Sequence, residues 1–189
     1  MIINRRFFFN YLRNHLFGGR LSQSEVDGME FFLDYWEDNK DTLVDYRWLS
    51  YILGTVYHET GKTFQPLREW GKGRGRPYGE PDPETGQIYY GRGYIQLTWK
   101  ENYEKYKKIL KVDLVKDPDL ALKPELSTKI TFHGMINGTF TGKKLRDFFN
   151  KEEEDWYNAR KIVNPKDFKT FQSIEDYSLT FYAAIGLIP

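Results

Sequence analysis

Apolar residues recur along this chain mostly at helical spacing. Ser22 and Glu25 make a capping box ahead of Val26, Met29, Leu33 and Trp36, which share one face of a predicted helix. A second helix is predicted from about Arg47 to Thr60, with Trp48, Leu49, Ile52, Leu53 and Val56 inward and Gly61 as its stop. Residues 88–99 change period and form the one good strand candidate. Ile95, Leu97 and Trp99 fall on one side of it, and Tyr94, Gln96 and Thr98 on the other. Thr98 and Glu101 then predict a capped helix through Tyr103, Tyr106, Ile109 and Leu110, with further helices near 124–137, 143–149, 154–163 and 173–185. Between residues 71 and 87 all periodicity gives way to a long loop rich in Gly and Pro, and long loops in compact domains tend to carry function. The pattern predicts a mainly α domain with a small β-element and a long loop beside a cleft.

Length and charge narrow this further. With 189 residues the chain can bury one good-sized core, divisible into two lobes, but is short for two ordinary domains, so residues 1–189 read as a single domain. The 28 basic residues almost balance the 27 acidic ones, and a net charge of +1 gives no reason to expect nucleic acid as a partner. Of the side chains, 17% are aromatic; most must be core, yet Tyr and Trp also suit the flat, hydroxyl-edged faces of sugars. No cysteine is present, which fits folding in a reducing cytoplasm. The N-terminal stretch lacks the longer apolar run and small-residue cleavage site of a signal peptide, and Phe7-Phe8-Phe9 reads as core. No run approaches the ~18–20 apolar residues of a membrane span, so stable membrane insertion is not expected.

Two stretches carry the candidate chemistry. Tyr57-His58-Glu59-Thr60-Gly61 places a carboxylate at the C-terminal end of an apolar helix. There the helix carbonyls oppose its ionisation, and desolvation by aromatic neighbours would act in the same direction, as a general acid requires. The plainer alternative is a solvated carboxylate at a helix end. In Tyr89–Trp99, the Tyr94, Gln96 and Thr98 face suits hydrogen bonds to hydroxyl and acetamido groups, the alternative being an ordinary solvated strand face. His58 hints at metal, but the segment lacks the second His of HExxH and only His15 and His133 remain, so neither a metal nor another cofactor is expected. Gly71-Lys72-Gly73-Arg74-Gly75-Arg76 lacks the ending of a phosphate-binding P-loop and reads as a flexible cationic loop.

The HET of residues 58–60, the YYGRGYIQLTW of 89–99 and the following Asn102-Tyr103 resemble the active-site segments of glycoside hydrolase family 19, the family of many chitinases and of related phage endolysins. The resemblance covers roughly residues 45–164, and it implies a lysozyme-like, two-lobed helical fold. It makes Glu59 the general acid and Gln96, Thr98 and Asn102 groove residues, with Thr98 helping to hold the attacking water. His58, Tyr94 and Asn164 become further substrate contacts. An inverting mechanism needs a second carboxylate as base; Glu69 fits the spacing of the phage-type members, with Glu80 in reserve and Arg68 and Arg92 able to keep a neighbouring carboxylate ionised.

What the resemblance implies is an endolysin that cuts the β-1,4-linked glycan strands of peptidoglycan. It would act as a monomer with no separate wall-binding module, be made in the host cytoplasm and reach the wall after a membrane breach. A bacterial chitinase is the second reading, and a non-catalytic glycan-binding or virion structural protein the third.

Overall fold

A computed structural model describes residues 2–186, leaving Met1 and residues 187–189 of the expected single domain outside the described residues. The chain divides into two compact units, Met1–Phe64 with Phe132–Pro189, and Gln65–Thr131. Helix dominates, as the periodicity predicts.

In the first unit, α1 (Arg5–His15) opens with the Asn4 side chain accepting from the Phe7 N–H, and buries Phe8 and Leu12. This helix was not among the predicted ones, although the burial of Phe8 agrees with a core reading of the Phe run. The predicted Ser22–Glu25 capping box forms at the start of α2 (Gln23–Asp38). Arg5 reaches three carboxylates on one face of α2, Glu30, Asp34 and Glu37, at 2.7, 2.9 and 2.7 Å.

α3 (Tyr46–Glu59) buries every residue from Leu49 to Tyr57, the signature of a helix enclosed on all sides. Its main partner is α6 (Phe171–Ile185). Gly54 lets the two helices touch, for a Cβ there would stand 2.8 Å from the Ser178 amide nitrogen. Around this contact Tyr57, Phe64 and Phe181 pack with ring centroids 5.8–6.1 Å apart. Each such buried side chain contributes about 1.5–3 kcal/mol by leaving water.

The second unit begins with β1 (Leu67–Arg68), paired antiparallel with β2 (Arg92–Gly93) in the register Leu67↔Gly93 and Arg68↔Arg92. The strand predicted over 88–99 is therefore mostly absent. After Gly93 the chain turns through Tyr94–Gln96 and Leu97 bridges back onto Arg92. Positive φ at Gly93 (90°), Gln96 (55°) and Trp99 (75°) breaks the alternation, so Tyr94 and Leu97 are both buried while Trp99 faces outward.

α4 (Lys100–Leu110) follows, with Trp99 as its cap and no side-chain cap hydrogen bond. The capping role expected of Thr98 is not realised. A 3₁₀ turn over Pro118–Leu122 leads to α5 (Pro124–Asn137), in which the chain passes from the second unit back to the first. The helices predicted at 143–149 and 154–163 shrink to 3₁₀ turns at Leu145–Asp147 and Asn158–Ile162. Apolar spacing there reports burial of single turns, not a continuous helix. Among the described residues no helix is long and apolar enough to cross a membrane.

Candidate active site

Glu59 is the last residue of α3, and the chain beyond it folds over the helix end. Gly61 (φ 58°) and Lys62 (φ 76°) take left-handed conformations, so that the Lys62 N–H reaches the Tyr57 carbonyl at 2.7 Å and the Gly61 N–H reaches that of His58 at 3.1 Å. Thr60 donates its hydroxyl to the Val56 carbonyl at 2.8 Å and accepts from the Phe64 N–H at 3.0 Å. The predicted Gly61 stop is thus observed, and the carbonyls that were to oppose ionisation of Glu59 are largely occupied.

Arg160 changes the electrostatics more. Its Nη1 donates to Glu59 Oε1 at 2.6 Å, with the arginine side chain 2% exposed and the glutamate 20%. Its Nε donates to Thr170 Oγ1 at 3.2 Å, and its Nη2 stands 3.5 Å from Asp167 Oδ2. Glu59 therefore rests in an ion pair, where the sequence predicted only dipoles and rings. Arg160 and Asp167 escaped sequence reasoning; the available signal was an arginine within a short, partly apolar run that also holds Lys161, Ala159-Arg160-Lys161-Ile162-Val163. Beside them, His58 is half-buried, and burial pushes its imidazole below the ordinary value. Asn164 is exposed, its N–H donating to the Arg160 carbonyl at 3.0 Å.

In the second unit, Glu69 follows β1 directly. Its N–H donates to the Gly91 carbonyl at 2.8 Å, and the Gly91 N–H donates back to Glu69 Oε2 at 2.9 Å. The Tyr78 hydroxyl donates to the other oxygen, Oε1, at 2.8 Å. Gly91 also lies beneath two more predicted residues. A Cβ on it would stand 2.8 Å from Gln96 Oε1 and 3.3 Å from Thr98 Oγ1, so only glycine leaves room for them. Glu69, Gln96 and Thr98 thus gather around one glycine, a feature that residue spacing did not reveal.

Most donors in this cluster are committed to backbone. Gln96 Nε2 donates to the carbonyls of Leu67 and Gly93 at 3.0 and 3.1 Å, Thr98 Oγ1 to that of Gln96 at 2.7 Å, and Asn102 Nδ2 to that of Thr98 at 2.7 Å. What remains is mainly a set of acceptors, a carboxylate, two amide oxygens and a hydroxyl lone pair, together with the second N–H of Asn102. Such a set matches a ligand rich in donors, such as hydroxyls, an amide N–H or water.

Three expectations need correction. Tyr94 is fully buried and its N–H donates to Ser127 Oγ at 2.8 Å, so its side chain belongs to the core and not to a groove. Arg68 and Arg92 both serve Asp119, at 2.6 and 2.8 Å, and not Glu69. They hold the Asp119 carboxyl below its usual range. Glu80 is exposed in the Pro-rich turn, outside the contacts around Gly91. Next to it, Tyr78 and Trp99 pack edge to face, 5.1 Å between centroids, in a cavity of about 300 Å3 walled by Pro77, Pro81 and Pro83. Among the described residues no group of three or more His, Asp or Glu could hold a metal ion.

A mainly α architecture, with one carboxylate at a helix end and another beside a two-stranded sheet, defines the class: the chain has the fold of the family 19 chitinases. Chitinase C from Streptomyces griseus superimposes with a TM-score of 0.67 over 98% of this chain and 77% of that one, at 20% identity. A bacterial family 19 chitinase gives 0.59 over 100% and 97%, at 19% identity.

Residues 59–141 match the family model described as chitinase class I, which ties this segment to glycoside hydrolase family 19. Endochitinase At2g43620 of Arabidopsis thaliana is 36% identical over 148 residues, 76% of this chain and 50% of the relative. Endochitinase At2g43610 of the same plant is 37% identical over 81 residues, 41% of this chain and 27% of the relative. The chain thus spans no more than half the length of these two curated relatives. The family segment contains Glu59, Glu69, Gln96, Thr98 and Asn102, whereas Arg160 and Asn164 lie beyond it.

Proposed function

We propose that this protein hydrolyses β-1,4 bonds between N-acetylated hexosamines with inversion of configuration. Glu59 is the proton donor, Glu69 the general base, and Thr98 the acceptor that orients the attacking water. The observation that carries this reading is the cluster around Gly91. A nucleophilic water has two protons to place, one on the base and one on a second acceptor; Glu69 and Thr98 Oγ1, whose own proton goes to Gln96, provide a pair of that kind. Gln96, Asn102, His58 and Asn164 then serve sugar hydroxyl and acetamido groups. On the donor side, Glu59 needs its proton when the glycosidic oxygen leaves. In its ion pair it carries none, so it takes one up from solvent as substrate arrives and Arg160 turns its charge toward Asp167.

The substrate we favour is the glycan strand of peptidoglycan, cut by a phage or prophage endolysin acting as a monomer. In this reading the enzyme is made in the host cytoplasm and meets the wall after a breach of the membrane. Supporting it are the exposed Lys72, Arg74 and Arg76 of the loop, whose positive charge suits an anionic wall better than neutral chitin. Chitin is the second reading, favoured by the names of the relatives. Incubation with purified peptidoglycan and, separately, with chitin oligomers decides between them. Mass spectrometry should find reducing-end muropeptides, and NMR of the first-formed product should show the α-anomer. Release from chitin alone would pass the substrate to the second reading, and a β-anomer would remove the inverting mechanism.

A further inference from the structure

The loop that follows Glu69 is more ordered in its bonding than its composition predicts. Successive turns link the Lys72 N–H to the Glu69 carbonyl at 3.1 Å, Arg74 to Gly71 at 3.0 Å, Arg76 to Gly73 at 2.9 Å and Gly79 to Arg76 at 2.9 Å. Gly73, at φ 76°, is buried between exposed neighbours. A Cβ on it would stand 2.7 Å from Gly79 Cα and 3.0 Å from the Tyr78 ring. The loop therefore folds back on itself by a glycine–glycine contact, and the residue it returns is Tyr78. The ring of Tyr78 rests against Trp99, and its hydroxyl meets Glu69 Oε1.

We propose that Tyr78 is the positioning residue of the general base, and that the turns of residues 71–79 serve to deliver its hydroxyl to Glu69. This rests on the reading of Glu69 as base. Two donors of different origin, the Gly91 N–H on Oε2 and the Tyr78 O–H on Oε1, fix both the rotation and the tilt of the carboxylate. Each oxygen keeps a lone pair, so the group is held without being silenced. Both donors are neutral, and a charge-assisted bond from a neutral donor stabilises the anion without cancelling its charge. The hydrogen bond to Glu69 also pushes the Tyr78 phenol above its ordinary value, so it stays a donor at any pH where the enzyme works. The charged groups on the surrounding elements are spoken for or peripheral. Arg68 and Arg92 are paired with Asp119, Lys100 with Asp82 and Glu84, and the exposed Arg76 pulls the Tyr78 phenol down less than Glu69 pushes it up.

The test is Tyr78→Phe, which keeps the ring against Trp99 and removes only the hydroxyl. Its kcat and KM are measured against wild type on whichever polymer the wild type cleaves. We expect kcat to fall about tenfold with KM within twofold, because a carboxylate free to rotate holds its water in line less often. Gly73→Ala, which disturbs the loop and leaves the hydroxyl in place, should lower kcat in the same way. A Tyr78→Phe enzyme with unchanged kcat, or with KM raised and kcat kept, overturns the positioning role. Glu69→Gln separates the two claims. If it retains wild-type turnover, the base assignment itself fails; if it is inactive while Tyr78→Phe keeps its kcat, only the role of Tyr78 is lost.

Discussion

Glu59 and Glu69 are both glutamates at the end of a regular element, yet the protein treats them in opposite ways. Glu59 ends a helix buried on every side and is met by a full positive charge, the 2%-exposed Arg160. Glu69 follows a two-residue strand and is held only by a backbone N–H and a phenol. The ion pair neutralises and locks its carboxylate; the neutral donors aim theirs and leave its charge intact. In the proposed reaction Glu59 has to acquire a proton before it can give one, so its counter-charge must yield as substrate arrives. A group that must accept one from water needs orientation and a free negative charge.

The sharpest test of this contrast is removal of each carboxyl in turn. Glu59→Gln and Glu69→Gln should each lower kcat by roughly 10²–10⁴-fold with the fold intact by circular dichroism. A variant with near-normal turnover would break the comparison at that residue. Next comes Arg160→Met, which leaves Glu59 half-buried beside no guanidinium. Breaking such a pair should cost about 3 kcal/mol, a fall in melting temperature of roughly 6–12 °C. No comparable loss is expected from the variants that touch Glu69, and calorimetry checks the difference.

Gly91→Ala should lower stability by only ~1–3 kcal/mol, yet reduce turnover tenfold or more, because its new methyl displaces the Gln96 amide and the Thr98 hydroxyl together. An alanine variant with unchanged kcat would mean that the glycine does not organise the site. Thr98→Val gives the smallest effect on the fold, ~0.5–1.5 kcal/mol for the lost bond to Gln96, with helix content unchanged because the hydroxyl caps nothing. Its kcat should drop about tenfold at constant KM; a rise in KM alone would make Thr98 a binding residue instead of a water holder.

The helices were legible where they are long and capped. Ser22 with Glu25 marked the start of α2, and Gly61 the end of α3, because capping depends on residues a few positions apart. The segment 88–99 misled because its alternation is real in sequence and cancelled in space. Two non-glycine residues, Gln96 and Trp99, adopt left-handed φ values that no local pattern announces. Tyr94 was lost to the core for the same reason. Glu59, Gln96, Thr98 and Asn102 were put forward from a motif and Glu69 from its spacing, whereas Arg160 and Tyr78 drew no notice. Arg160 meets Glu59 across 101 positions of chain, and Tyr78 returns to Glu69 through turns set by Gly73 and Gly79. Neither approach leaves a periodic trace.

The contact of Gly54 with Ser178 has a consequence for how the protein breathes. Amides from Leu49 to Tyr57 lie in the best-protected part of their unit, so deuterium should enter them only when that unit opens as a whole. The amides of residues 71–79 sit in exposed turns and should exchange through small local openings. Warming would then release the support of Glu69 while α3 still holds Glu59. A gently heated sample would fall silent as a hydrolase while its helical spectrum stayed intact, and cooling would restore it.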